Sequence, residues 1–208
     1  MSRSRKLWIP GPAGKLEAVL RVAENPVATA VVAHPHPQHG GTMHNSVIFH
    51  SDRELHRAGW TTLRFNFRGV ETSDGEFDEG RGEVEDVAAA LSWLRGIAPD
   101  VPHHVVGFSF GALCSIKVAL REPGVAGVVA VGIATRHYGY EQATSLDRPF
   151  AVVQGEEDEL ADLETVRKVV DAANGTLHVI EGTGHLFKGR ARDAAAKVLE
   201  AARAMLPS

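Results

Sequence analysis

Gly107-Phe108-Ser109-Phe110-Gly111 is the strongest chemical signal in the chain. A β-rich run, His104–Phe108, leads into it, and Ala112–Leu120, apolar nearly all round like a buried helix, leads away. A sharp strand-to-helix turn forces its central residue into a strained conformation. Glycine on both sides lets neighbouring backbone come close. Such a turn lifts the Ser109 hydroxyl at the carboxyl end of a sheet, beside helix N–H groups that favour negative charge. Serine is also a good helix cap, so without partners elsewhere the motif reads as a capped helix start.

A serine hydroxyl is a poor nucleophile until a base takes its proton. The chain has 11 histidines, so position must select among them. His185, in Gly182-Thr183-Gly184-His185, follows the last strand-like run and falls at the carboxyl edge of the sheet, where ligands bind in open α/β folds. His103 and His104 open a strand at the opposite edge, His50 and His56 lie on a helix, and His178 lies inside a strand. A base also needs an orienting carboxylate. Phe150–Val153 runs into Gln154-Gly155-Glu156-Glu157-Asp158-Glu159, and the chemistry of four consecutive acids does not choose among them.

Ala33-His34-Pro35-His36-Pro37-Gln38-His39-Gly40-Gly41 follows another strand-like run. Acyl transfer needs two or more N–H donors aimed at the developing oxyanion, one of them on the residue after the nucleophile. Phe110 supplies that one. Proline has no N–H, so the His36 amide stands alone between two rigid residues and is the expected second donor. His34, His36, His39 and His44 match no zinc spacing, and Cys114 is far away, so no metal site is assigned.

The elements that must position these groups alternate. Leu16–Val22, Thr29–Ala33, Thr61–Phe67, His104–Phe108, Val125–Ile133, Phe150–Val153 and Thr176–Ile180 read as strands. Asn45–Ala58, Glu83–Leu94, Ala112–Leu120, Leu163–Ala173 and Ala194–Leu206 read as helices. Alternation of this kind gives βαβ units and a largely parallel sheet. The first two strands have no helix between them and are expected to pair antiparallel. Val70–Arg81 and Thr135–Arg148 are the long irregular stretches.

The 208 residues contain no linker or repeat, so one domain, 1–208, is expected. A chain of this length folds without a disulfide or metal staple. With 44% hydrophobic and 23% charged residues, disorder and coiled coil are excluded. A net charge of -4 gives no electrostatic reason to expect nucleic acid or an anionic membrane. One cysteine, no stretch of signal-peptide length and no run of about 18 apolar residues point to a cytoplasmic location. No Walker-type phosphate loop or dinucleotide fingerprint is present.

With these residues together, the chain resembles the α/β-hydrolase superfamily, particularly its small lidless members near the dienelactone-hydrolase-like and serine-esterase groups. The motifs are His34-Pro35-His36-Pro37 with Gly40-Gly41, Arg64-Phe65-Asn66-Phe67-Arg68-Gly69, Gly107-Phe108-Ser109-Phe110-Gly111, Gly155-Glu156-Glu157-Asp158 and Gly184-His185. The resemblance implies an eight-stranded, mostly parallel sheet with its second strand antiparallel, helices on both faces and no cap domain. It places the orienting acid on Asp158. Where small hydrolases often continue R-G-x-G-x-S, Glu71 stands at the glycine position, and Ser109 stands where dienelactone hydrolases proper carry cysteine.

The expected chemistry is hydrolysis of a small carboxylic ester, with Ser109 as nucleophile, His185 as base and acid, and Asp158 orienting the ring. Backbone N–H groups of His36 and Phe110 would hold the oxyanion. Water completes the second step, so the cofactor expectation is none, and the partners are the ester and water. Thioester and lactone hydrolysis use the same machinery, and a non-catalytic binding protein on this fold is the alternative. Met43, Phe108, His137, Tyr138, Leu186 and Phe187 flank the proposed residues and are the candidate pocket walls, with core packing the competing role for each.

Overall fold

The computed structural model describes residues 4–207. Eight strands form one sheet: β1 (Arg5–Gly11), β2 (Gly14–Arg21), β3 (Thr29–Ala33), β4 (Thr61–Phe65), β5 (His103–Phe108), β6 (Val125–Val131), β7 (Phe150–Gly155) and β8 (Thr176–Ile180). They lie side by side in the order β1-β2-β4-β3-β5-β6-β7-β8. From β4 to β8 every pairing is parallel, and β2 is antiparallel to both its neighbours. The helices are α1 (Ser46–Arg57), α2 (Arg81–Ile97), α3 (Phe110–Arg121), α4 (Leu163–Ala172) and α5 (Ala191–Ala204).

Two sequence expectations need correction. Periodicity did not mark β1, although Leu7 and Ile9 alternate with Lys6, Trp8 and Pro10. The period is visible, but charge at one end and Pro10 at the other shorten the apolar signal. Pro10 is tolerated because β1 is an edge strand. The antiparallel partner of β2 is therefore β1, and also β4, rather than β3. The strand β3 lies between β4 and β5, parallel to both.

The central strands are apolar on both faces, as parallel strands covered on two sides must be. One core cluster joins the sheet to α2, α3 and α4 through residues such as Leu63, Val87, Leu91, Ile116 and Val166. The other joins it to α1 and α5 through Val47, Ile48, Leu55, Phe108, Val129 and Val198. Between β6 and β7 the chain forms only a short 3-10 turn, Glu141–Ser145, where a cap domain could have been inserted. Among the described residues no helix is long and apolar enough to cross a membrane.

Glu71 takes φ 51, the left-handed conformation that glycine adopts freely. The loop keeps the shape of the glycine-bearing motif at the cost of strain at one exposed residue. Ser73 then anchors it, donating from Oγ to the Asn66 carbonyl (2.8 Å) and accepting from the Glu17 amide (2.9 Å).

Two buried imidazoles tie stability to pH. His34 lies at the end of β3, and His104 packs edge-on against Trp60 with ring centres 4.8 Å apart. Burial pushes both down to about 4. The unfolded chain takes up these protons near 6.5, whereas the folded chain resists until about 4. The stability these two histidines contribute is therefore fully present above pH 6.5 and is lost as pH drops toward 4, on the order of 3 kcal/mol for each. His104→Leu is expected to remove one of these two contributions. Urea unfolding at pH 7 and pH 4.5 checks it: the variant should lose clearly less stability between the two than the native protein.

Candidate active site

The turn from β5 into α3 carries Ser109 at φ 54 and ψ -113, an unfavourable backbone conformation for a residue with a side chain. Packing enforces it. A Cβ on Gly107 would strike the Gly111 carbonyl and lie 2.5 Å from the Ala112 nitrogen. A Cβ on Gly111 would strike the backbone carbonyls of Ala33 and His34 at the end of β3. The Ser109 amide donates to the Val131 carbonyl (2.8 Å), which fixes the turn against β6. Ser109 occupies the N-cap position of α3, yet its side chain makes no capping bond. Its Oγ lies 2.9 Å from His185 Nε2 instead.

The second imidazole nitrogen, Nδ1, lies 2.8 Å from Asp158 Oδ2. All three side chains are almost wholly buried. Asp158 is held from two further sides. Gln154 Nε2 donates to Oδ2 (2.5 Å), and the Leu160 amide donates to Oδ1 (2.8 Å). Gln154, in turn, accepts the Ile133 amide at Oε1 (3.0 Å). Since the carboxylate is acceptor-only, His185 must carry its proton on Nδ1, leaving Nε2 free to accept from the serine hydroxyl. Sequence reasoning did not select Gln154. Its signal was a polar side chain ending the apolar run of β7.

The neighbouring acids take distinct tasks. Glu159 Oε2 accepts the His185 amide (3.0 Å), and this bond, first among its causes, holds the Glu159 carboxyl below its ordinary range. Glu156 Oε2 accepts the Gly182 amide (3.2 Å). The Glu157 amide donates to the Thr183 carbonyl, and its side chain is exposed. The acidic turn after β7 thus clasps the loop that carries His185 at several points.

The loop after β3 is held by residues on β4 and just beyond its end. Arg64 Nη1 donates to the Met43 carbonyl (2.5 Å), and Asn66 Oδ1 accepts the Met43 amide (2.8 Å). Asn66 Nδ2 donates to Glu17 (3.0 Å), so the clamp reaches back to β2. The Phe67 amide donates to His34 Nε2 (3.1 Å), while His34 Nδ1 faces the Pro35 carbonyl (2.7 Å). Inside the loop, the His36 carbonyl accepts the amides of His39 and Gly41. The His36 ring packs against Phe110 and Phe77, with centres 4.8 and 5.0 Å away. Burial, then His39, keeps the His36 imidazole below its ordinary range. Phe110 is the first residue of α3, whose leading amides have no partner within the helix.

A Cβ on Gly41 would strike the Pro35 carbonyl oxygen and lie 2.6 Å from that of His36. Gly41→Ala must therefore displace the segment carrying the His36 amide. If the His36 amide is the oxyanion donor that the sequence leads one to expect, the result is about a 100-fold fall in kcat. Steady-state kinetics beside an unchanged circular dichroism spectrum checks it.

These groups open onto a groove of about 620 Å³. Pro35, Ala134, Tyr138, Leu160 and Leu186 give it apolar walls, and His36, His39 and His137 add rings. No Asp, Glu, Lys or Arg lines it. His137, Tyr138 and Leu186 thus stand where the sequence placed pocket walls. Met43 does not: it is fully buried off the groove, and only its backbone serves the loop. Phe108 and Phe187 are likewise core residues, and Phe108 packs against the His185 ring (5.4 Å). Cys114 is buried in α3, where burial pushes its thiol strongly up and leaves it unreactive. Among the described residues no three His, Cys, Asp or Glu side chains are grouped to hold a metal ion.

Comparison with known proteins agrees with this architecture. Residues 38–144 match the family described as alpha/beta hydrolase fold. A curated protein of Rickettsia prowazekii (strain Madrid E), the uncharacterized protein RP471, is 34% identical over 195 residues, spanning 88% of this chain and 82% of that protein. Solved structures of relatives superpose closely. XC6422 of Xanthomonas campestris, described as an α/β serine hydrolase without lid, gives a TM-score of 0.89 at 30% identity, covering 100% of this chain and 97% of that one. An α/β serine hydrolase homologue from Coxiella burnetii gives 0.88 at 35% identity, over 96% of this chain and 97% of that one. The chain belongs to the α/β-hydrolase fold family, in its lidless form.

Proposed function

We propose that the protein is a serine hydrolase that cleaves carboxylic esters of small, uncharged substrates through an acyl-enzyme on Ser109. The observation that carries this reading is the unbroken series Ser109 Oγ, His185 Nε2, His185 Nδ1, Asp158 Oδ2, with links of 2.9 and 2.8 Å, at the floor of an apolar groove.

In this mechanism the ester carbonyl sits above Ser109. The Ser109 hydroxyl proton moves to His185 Nε2 as Oγ attacks the carbonyl carbon. Charge that gathers on the carbonyl oxygen is met by the amides of His36 and Phe110. Asp158 stabilises the imidazolium and keeps the ring oriented. His185 then gives its proton to the departing alcohol oxygen as the ester C–O bond breaks, which leaves an acyl ester on Ser109. Water repeats the sequence: His185 takes its proton, hydroxide adds to the acyl carbon, and the carboxylic acid leaves as Ser109 Oγ regains a proton. The groove lined without charged side chains favours a neutral acyl group over a dicarboxylate, because a buried unpaired charge is costly.

The test is turnover of p-nitrophenyl acetate and butyrate beside the matching thioester and a lactone. Ester hydrolysis should exceed the other two. No turnover of any of the three would end the proposal in favour of a binding role.

A further inference from the structure

A second cleft, of about 310 Å³, lies between α1 and α5 and is lined by His50, Arg53, Glu54, Arg57, Arg192 and Ala196. His50, Arg53 and Arg57 recur at three- and four-residue steps, so they share one face of α1. Arg192 enters from α5, and Ala196, one turn later, leaves open the space a longer side chain would fill. Three guanidinium groups therefore meet a single carboxylate in a protein whose net charge is -4.

The positive charge is only partly neutralised within the cleft. Arg57 pairs with Glu54 (2.6 Å). Arg53 lies over the Phe49 ring at 5.4 Å, which orients its guanidinium without cancelling its charge. Arg192 makes no ion pair among the described residues, although Arg190, two positions earlier, is paired with Asp193. His50 senses the result. Desolvation and then Arg192, Arg53 and Arg57 make its protonation harder, and only Glu54 opposes them.

We propose that this cleft binds a phosphate group, held by Arg53 and Arg192 from the two helices. Guanidinium forks match phosphate oxygens in pairs, and two cationic forks, one from each helix, can together balance the charge of a phosphate dianion. The site stands apart from Ser109 and does not depend on the hydrolase reading.

The experiment is proton NMR of the His50 ring, assigned with His50→Gln, in the full chain titrated with inorganic phosphate or with glycerol 3-phosphate, against sodium chloride at matched ionic strength. Phosphate neutralises the surrounding guanidinium groups, so it should raise the His50 titration midpoint saturably. Tighter binding of glycerol 3-phosphate identifies a phosphorylated small molecule as the ligand, and equal binding identifies the free ion. Arg53→Ala with Arg192→Ala should abolish the saturable response while ester turnover stays native. An equal shift with chloride, or native phosphate binding by the double variant, would overturn the proposal.

Discussion

Ser109→Ala is expected to lose about 10⁶-fold in kcat toward a short-chain aryl ester, with KM little changed. The variant keeps the turn, because Gly107 and Gly111 still pack against fixed backbone and the residue 109 amide still reaches Val131. On the proposed mechanism it removes only the atom that would form the covalent bond. The proposed oxyanion donors at His36 and Phe110 remain, so on this mechanism a residual acceleration of about 10³ over water should persist from oxyanion binding alone. Stopped assays on variant and native protein at equal concentration, with circular dichroism as a fold control, measure it. Turnover within tenfold of native would show that Ser109 is not the nucleophile.

Asp158→Asn should cost about 10⁴-fold in kcat while leaving the groove intact. The carboxylate accepts three donors: His185 Nδ1–H and Gln154 Nε2–H at Oδ2, and the Leu160 amide at Oδ1. An amide cannot accept at both positions. If its NH₂ faces Leu160, two donors collide in a buried site. If it faces His185, the ring must move its proton to Nε2 and can no longer accept from Ser109. In the first orientation the negative charge that stabilises the imidazolium is lost, in the second the base itself is disabled, and substrate binding is spared in both because Asp158 does not line the groove. A kcat loss below tenfold, or a loss confined to KM, would contradict this role.

The sequence disclosed much of this site because the chemistry sits in short contiguous motifs. Gly107 and Gly111 report a close approach that no larger residue permits, and the proline pair around His36 reports a rigid loop. Order along the chain then placed Ser109, His185 and the acidic turn at one rim. Chemistry alone left Glu156, Glu157, Asp158 and Glu159 open, and the family resemblance pointed to Asp158; the separate tasks of Glu156 and Glu159 on the His185 loop are visible only in three dimensions. Gln154 and the Arg64–Asn66 clamp on Met43 escaped because each acts on a partner at least 4 residues away, through a backbone group or a carboxylate that no local pattern specifies. Met43 was misplaced for the related reason that nearness in sequence to a loop does not say which way a side chain turns. The pairing of β2 with β4 was likewise hidden, because it joins residues far apart in the chain, such as Ala18 and Phe65, past the intervening β3.

The most direct measurement is intact-mass and peptide mass spectrometry of the folded protein after exposure to a fluorophosphonate. The account predicts one phosphonyl group per chain, carried by the peptide containing Ser109, with labelling slowed at least 100-fold in His185→Ala and absent after denaturation. A folded protein that stays unlabelled, or that carries the group on any other residue, would contradict it.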